Sequence, residues 1–182
     1  MSRHLIESLV RKKTVYRGLC VNLRRDDVRL SNGKIATREF LDHPGAVGVV
    51  PFLDSETVVL VRQYRHPVRE ITLELPAGKL HRGENPMRCL RRELKEETGY
   101  TAQKITRLID YWPTPAFANE VLHLFVARDL IPGPLMPDED EFLEVVTMPF
   151  EKALSLARSG RIRDSKTVIG LLACAAWRPG RR

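Results

Sequence analysis

The stretch from Asn85 to Gly99, NPMRCLRRELKEETG, constrains this chain more than any other, because its two ends and its interior all specify the same element. Asparagine is a favoured N-cap, proline at the first helical position lacks only an N–H that a helix start leaves unbonded, and glycine accepts the left-handed conformation that ends a helix. These signals predict a helix of about thirteen residues. At about 100° per residue, Glu93, Glu97, Glu96 and Cys89 fall near 0°, 40°, 300° and 320°, and Leu90, Leu94 and Met87 near 60°, 100° and 120°. Arg88, Arg91, Arg92 and Lys95 take the remaining arc. The helix therefore carries a core face, a solvent face and an acidic face.

Glu93 paired with Glu96 and Glu97 at i,i+3 and i,i+4 costs roughly 0.2–0.5 kcal/mol per pair unless a cation offsets it. Two readings of the acidic face are open. It is either a solvated surface or a set of carboxylate oxygens kept for a hard cation. The surrounding chain is basic, with 30 Lys and Arg against 23 Asp and Glu and a formal net charge of +7, so the concentration of acid here runs against the average. That charge permits a nucleic acid or a small phosphorylated ligand as partner. The basic residues are dispersed and aromatics make up 7%, with no aromatic–basic interleaving, which disfavours nucleic acid.

At 182 residues and 43% hydrophobic, the chain suits one globular domain with a small additional layer. No window approaches the ~18 apolar residues of a membrane span, and the start, MSRHLIESLVRKK, has no apolar signal core, so the sequence reads as cytoplasmic. Cys20, Cys89 and Cys174 are scattered without CxxC spacing, which argues against a disulfide framework or a zinc site.

Short strands are expected at TVYRG, VNLRRDDVRL and KIATREFL, the last two joined at Ser31-Asn32-Gly33-Lys34 by a type I′ hairpin turn. AVGVVPFL and ETVVLVRQYR read as buried central strands of a mixed sheet. ITRLIDYW, EVLHLFVAR and FLEVVTM read as further strands, and PFEKALSLARSG and SKTVIGLLACAAW as amphipathic helices, the last capped by Asp164. Two proline-rich loops, 113–118 and 132–140, separate them, the second running into Asp138-Glu139-Asp140-Glu141.

Gly78, five residues, Glu84, seven residues, then Arg92-Glu93-Leu94-Lys95-Glu96-Glu97-Thr98-Gly99-Tyr100 resembles the Nudix box, GX5EX7REUXEEXGU, at every defined position, with Tyr100 where a bulky aliphatic is commoner. HPGAVGVVPF, VRQYRHPV, LELPAG and the Pro115 segment resemble the ADP-ribose pyrophosphatases of that family over roughly residues 14–177; Pro115-Ala116 departs from the commoner Pro-Gly. The resemblance implies an α/β/α sandwich with a mixed sheet over 43–182, and a preceding small β region, 1–42, that pairs two subunits in a homodimer.

The same resemblance implies that Glu93, Glu96, Glu97 and the Ala77 carbonyl hold Mg2+, with Mn2+ as a substitute, and that Arg92 pairs with Glu84 or Glu96 to orient them. It implies Glu141 and Glu96 as the catalytic carboxylates, Glu141 as general base on its loop and Glu139 as reserve. The substrate it implies is a small nucleoside diphosphate sugar, ADP-ribose, cleaved to AMP and ribose 5-phosphate. By the same likeness Arg65 and Glu74 contact that substrate, although either could instead stand in a structural ion pair. Arg38 and Glu39 match positions that bind the adenosine half from the partner subunit, and Glu120 matches a position on a substrate loop. The alternatives are the same chemistry on a GDP-sugar or FAD, an RNA-directed module of the family, and a non-catalytic sensor.

Overall fold

An unbroken apolar strand demands cover on both faces, and Ala46–Pro51, buried at every position, is such a strand. The computed structural model, which describes residues 2–19, 21–136 and 142–176, supplies that cover. Strand β5 (Ala46–Pro51) alternates its side chains between two cores. Ala46 and Val50 join Leu75, Leu124, Leu154 and Leu171, while Val47 and Val49 join Leu90, Leu94, Phe125 and Ala127. Strand β10 (Leu122–Pro132), parallel to β5, repeats the division, with Leu122, Leu124 and Val126 on one side and Phe125 and Ala127 on the other. Helix α1 (Pro86–Thr98) brings Leu90 and Leu94 to one face; α2 (Phe150–Arg158) and α3 (Ser165–Ala176) bring Leu154 and Leu171 to the other. The result is the expected α/β/α layering.

The sheet between these helices is mixed, in the order β8 (Ala77–Lys79), β5, β10, β9 (Tyr100–Tyr111), with β5 and β10 as its parallel pair. Strand β6 (Thr57–Arg65) does not join it. After an isolated bridge between Phe52 and Val58, β6 becomes the centre of a separate antiparallel sheet in the order β11 (Leu143–Pro149), β6, β7 (Glu70–Glu74). The mixed sheet expected from sequence is present, but ETVVLVRQYR, read as one of its central strands, is instead the middle of the second sheet. Asp164 caps α3 as anticipated, accepting from the Thr167 N–H at 3.0 Å and its hydroxyl at 2.6 Å.

Backbone proximity groups residues into two units, Met1–Pro44 with Thr114–Glu120, and Gly45–Pro113 with Val121–Arg182. The first contains β1 (Ser8–Arg11), β2 (Thr14–Arg17), β3 (Asn22–Arg29) and β4 (Ile35–Leu41), all antiparallel to β3 where they pair. Segment 114–120 belongs with this unit, since the Leu41 N–H donates to the Phe117 carbonyl at 2.8 Å and the Asn119 side chain bonds Asp42 and the His43 N–H. The β3–β4 hairpin forms where Asn-Gly places it, but its turn is not type I′. Gly33 has φ 83° whereas Asn32 is not left-handed. The Gly33 N–H donates to Leu30 O and the Leu30 N–H to Lys34 O, each at 2.9 Å, which makes a three-residue loop closed by a left-handed glycine. The Asn32 carboxamide accepts from the Lys34 N–H at 3.1 Å, a bond that serves this longer loop. No helix among the described residues is long and apolar enough to cross a membrane.

Candidate active site

Helix α1 begins and ends as its sequence specifies. The Asn85 side chain accepts from the Met87 N–H, and Gly99 sits at φ 74° with its N–H on the Lys95 carbonyl. The helix lies against β8, whose register with β5 pairs Val47 with Gly78 and Gly48 with Ala77. A methyl group on Gly78 would stand 1.9 Å from the Glu93 carboxyl carbon and 2.0 and 2.3 Å from its oxygens. Glycine at this position is therefore what lets the Glu93 carboxylate rest directly on the backbone of β8. One turn along, Glu97 accepts from the Ala77 N–H at 2.9 Å.

The burial of these groups separates the two readings left open by the sequence. Glu93 is 8% exposed and Glu97 3%. The solvated-face reading fails for both, since carboxylates are withdrawn from water at a cost that a specific partner must offset. Arg92 crosses the acidic face instead of remaining on the solvent arc. Its Nη1 lies 2.8 Å from Glu93 and 2.9 Å from Glu96, and its Nη2 lies 3.4 Å from Glu84. It thus pairs with both of the residues expected for it. Partial burial opposes its charge, but the surrounding carboxylates, Glu84 first, raise its pKa further above the usual guanidinium range. Glu84 is held below the usual carboxylate range, chiefly by the His81 N–H, with desolvation opposing the shift and Arg92 adding to it. Burial, then Glu93 and Glu84, push the Cys89 thiol up to about 12, so it is a packed and unreactive thiol.

Glu84, Glu93 and Glu96 share one guanidinium, and Glu97 adds a fourth buried or half-buried carboxylate beside them. Every donor in this set, with the Ala77 carbonyl, is a hard oxygen of the kind Mg2+ prefers. In donor chemistry and in the cradle at Gly78, the residues fit a divalent cation. They are not converged as ligands: among the described residues no group of three His, Cys, Asp or Glu side chains is arranged to hold a metal. The reason is visible in the contacts, since Arg92 takes up Glu93 and Glu96 while Glu97 turns to Ala77.

Arg65 and Glu74 meet each other, which is the ion-pair alternative that the sequence left open. Arg65 Nε and Nη2 donate to the two Glu74 oxygens at 2.9 and 2.8 Å. Glu74 is 1% exposed and also accepts from Thr72 Oγ1 at 2.6 Å and from Lys166. Desolvation pushes its pKa upward, but Arg65, Lys166 and Thr72 outweigh it and hold Glu74 at about 2. Because the folded pKa lies below the ordinary 4.5, this stabilisation is complete above that value and fades as pH falls towards 2. Glu74→Gln, which breaks a buried pair, is expected to cost about 3–5 kcal/mol near neutrality. Urea midpoints of wild type and Glu74→Gln should converge as pH drops below the ordinary carboxylate range; a constant gap would deny Glu74 its charge-based role.

The sequence anticipated neither Lys166 nor Thr72 here, and read Asp164 only as a cap. Arg38, Glu39 and Glu120 belong to the N-terminal unit. There Arg38 pairs with Glu7, Glu39 stands exposed opposite Arg25, and Glu120 lies 3.6 Å from His43. Glu141 and Glu139 lie outside the described residues.

A model of the NUDIX domain family matches residues 42–169. The chain belongs to the NUDIX domain family. This Nudix chain is 40% identical over 171 residues to an ADP-ribose pyrophosphatase of Bacillus subtilis (strain 168), covering 93% of this chain and 92% of that protein. It is 39% identical to a methanol dehydrogenase activator of Bacillus methanolicus over 94% of each. Among solved structures, one described as an ADP compounds hydrolase superposes with a TM-score of 0.81 at 27% identity, covering 94% of this chain and 93% of that one.

Proposed function

We propose that this Nudix hydrolase cleaves the diphosphate of ADP-ribose to AMP and ribose 5-phosphate with Mg2+, or Mn2+ in its place. The observation that carries this reading is the seating of buried Glu93 on Gly78, beside buried Glu97 bonded to Ala77. Such an arrangement spends stability to keep carboxylates out of water, and a cationic ligand is what makes it useful.

Glu93, Glu96, Glu97 and the Ala77 carbonyl would hold the metal, which supplies charge neutralisation at the diphosphate and a more acidic bound water. The chain's own residues do the rest. Gly78 and Ala77 fix where Glu93 and Glu97 present their oxygens, and Arg92 holds Glu84 and Glu96 in orientation. Arg65, with two donors on Glu74 and its side chain 44% exposed, offers its outer edge to a phosphate oxygen. On sequence grounds Glu141 accepts the proton of the attacking water, Arg38 and Glu39 of a second subunit meet the adenosine half, and Glu120 belongs to a substrate loop.

The test is a panel of ADP-ribose, a GDP-sugar and FAD, each incubated with Mg2+ or with chelator and resolved by chromatography. Release of AMP from ADP-ribose in Mg2+ alone is the expected result; preferential cleavage of another conjugate reassigns the substrate. The N-terminal sheet leaves Leu9, Val10, Val15 and Tyr16 half exposed or more, and a second copy of this chain is the proposed cover, giving a homodimer. Light scattering that returns the mass of a single 20.8 kDa chain would remove that part.

A further inference from the structure

Lysine is rarely buried unless its ammonium meets a specific partner, and Lys166 is 8% exposed. Its Nζ reaches Glu74 and, at 3.0 Å, Asp164. Glu74 is the same carboxylate that binds Arg65 through two of the five guanidinium donors. Arg65, Thr72, Glu74 and Asp164 line one cleft of about 480 Å3, together with Val68 and Arg163.

Arg65, Lys166, Glu74 and Asp164 together carry two positive and two negative charges, so what the cluster sets is the direction in which each charge faces. Lys166 adds a second positive charge on the buried side of Glu74. Asp164 pairs with Lys166 and also accepts from the Thr167 N–H at the N-terminus of α3. Lys166 therefore offsets Glu74 from behind while Arg65 faces the cleft. We propose that Lys166 is a positioning residue for substrate binding: it fixes Glu74 so that Arg65 presents its outer edge to the substrate diphosphate. This rests on the hydrolase reading above, in which Arg65 meets that diphosphate.

The test is a double-mutant cycle on the full chain, with Lys166→Met, Arg65→Ala and the double variant. Calorimetry in chelator gives the Kd for ADP-ribose, and turnover in Mg2+ gives KM and kcat. Lys166→Met should raise Kd and KM about tenfold while kcat stays within about threefold, and Lys166→Arg should recover most of the loss. In the Arg65→Ala background the Lys166→Met effect should fall below about twofold. Equal effects in both backgrounds, or a loss confined to thermal stability, overturn the proposal. If Lys166→Met does not fold, Thr72→Val, which removes the hydroxyl on Glu74 without changing charge, should raise Kd in the same sense; an unchanged Kd there overturns it as well. Wild-type binding without Mg2+-dependent cleavage would fail the hydrolase reading yet leave the cycle readable on Kd, whereas a wild type that neither binds in chelator nor turns over in Mg2+ overturns both.

Discussion

Glu97→Gln is expected to lower Mg2+-dependent kcat by about 10²–10³-fold, the scale on which removal of one pre-placed electrostatic group acts. The folded state should survive, because the substitution preserves the contact that ties Glu97 to the backbone of β8. A glutamine carbonyl accepts from the Ala77 N–H, at 2.9 Å in wild type, as a carboxylate does. What disappears is a negative charge that is 3% exposed and shares a helix face with Glu93 and Glu96. Easing that repulsion should leave the melting temperature unchanged or raise it. Circular dichroism and a Mg2+ titration of turnover on the same preparation separate the two effects. A variant that folds and retains its rate would take Glu97 out of the metal role.

How far such a site is legible in sequence depends on how local its determinants are. Helix α1 was fully specified because Asn85, Pro86 and Gly99 act within a turn of themselves, and the spacing of Glu93, Glu96 and Glu97 places them on one face whatever surrounds the helix. The burial of that face was not legible. It depends on β8, three residues long with no apolar alternation, whose place is set by hydrogen bonds to β5. The network behind Arg65 was hidden for a similar reason. Lys166 and Glu74 lie 92 residues apart, as do Thr167 and the Leu75 N–H that its hydroxyl accepts from, and only the packing of α3 against the sheets brings them together. Arg65 was legible as a phosphate-type side chain, but not as one with two donors already committed. At the β3–β4 hairpin the Asn-Gly pair marked the place, while the hydrogen bonds of Leu30 to Lys34 and Gly33 determined the turn.

Gly78→Ala should be nearly as damaging to catalysis, and by a different physical route. Gly78 lies in β8 with a φ that other residues also adopt, so alanine brings no backbone strain there. The conflict is purely steric, a methyl carbon 1.9 Å from the carboxyl carbon of Glu93. A carboxylate at the end of a flexible side chain yields before two paired strands do, so Glu93 should rotate away, losing its 2.8 Å contact with Arg92 and its place over the Ala77–Gly78 backbone. The energetic cost of such accommodation is about 1–3 kcal/mol, which in a domain of this size lowers the melting temperature by roughly 2–4 °C per kcal/mol. The catalytic cost is larger, because a ligand displaced by an ångström or more no longer meets the cation with its neighbours, and kcat/KM should fall by about 10² or more. The disproportion is the diagnostic. A variant that loses stability while keeping its activity would show the Glu93–Gly78 contact to be packing alone. One that melts within a few degrees of wild type but turns over almost no ADP-ribose would show that the glycine is there to admit the carboxylate.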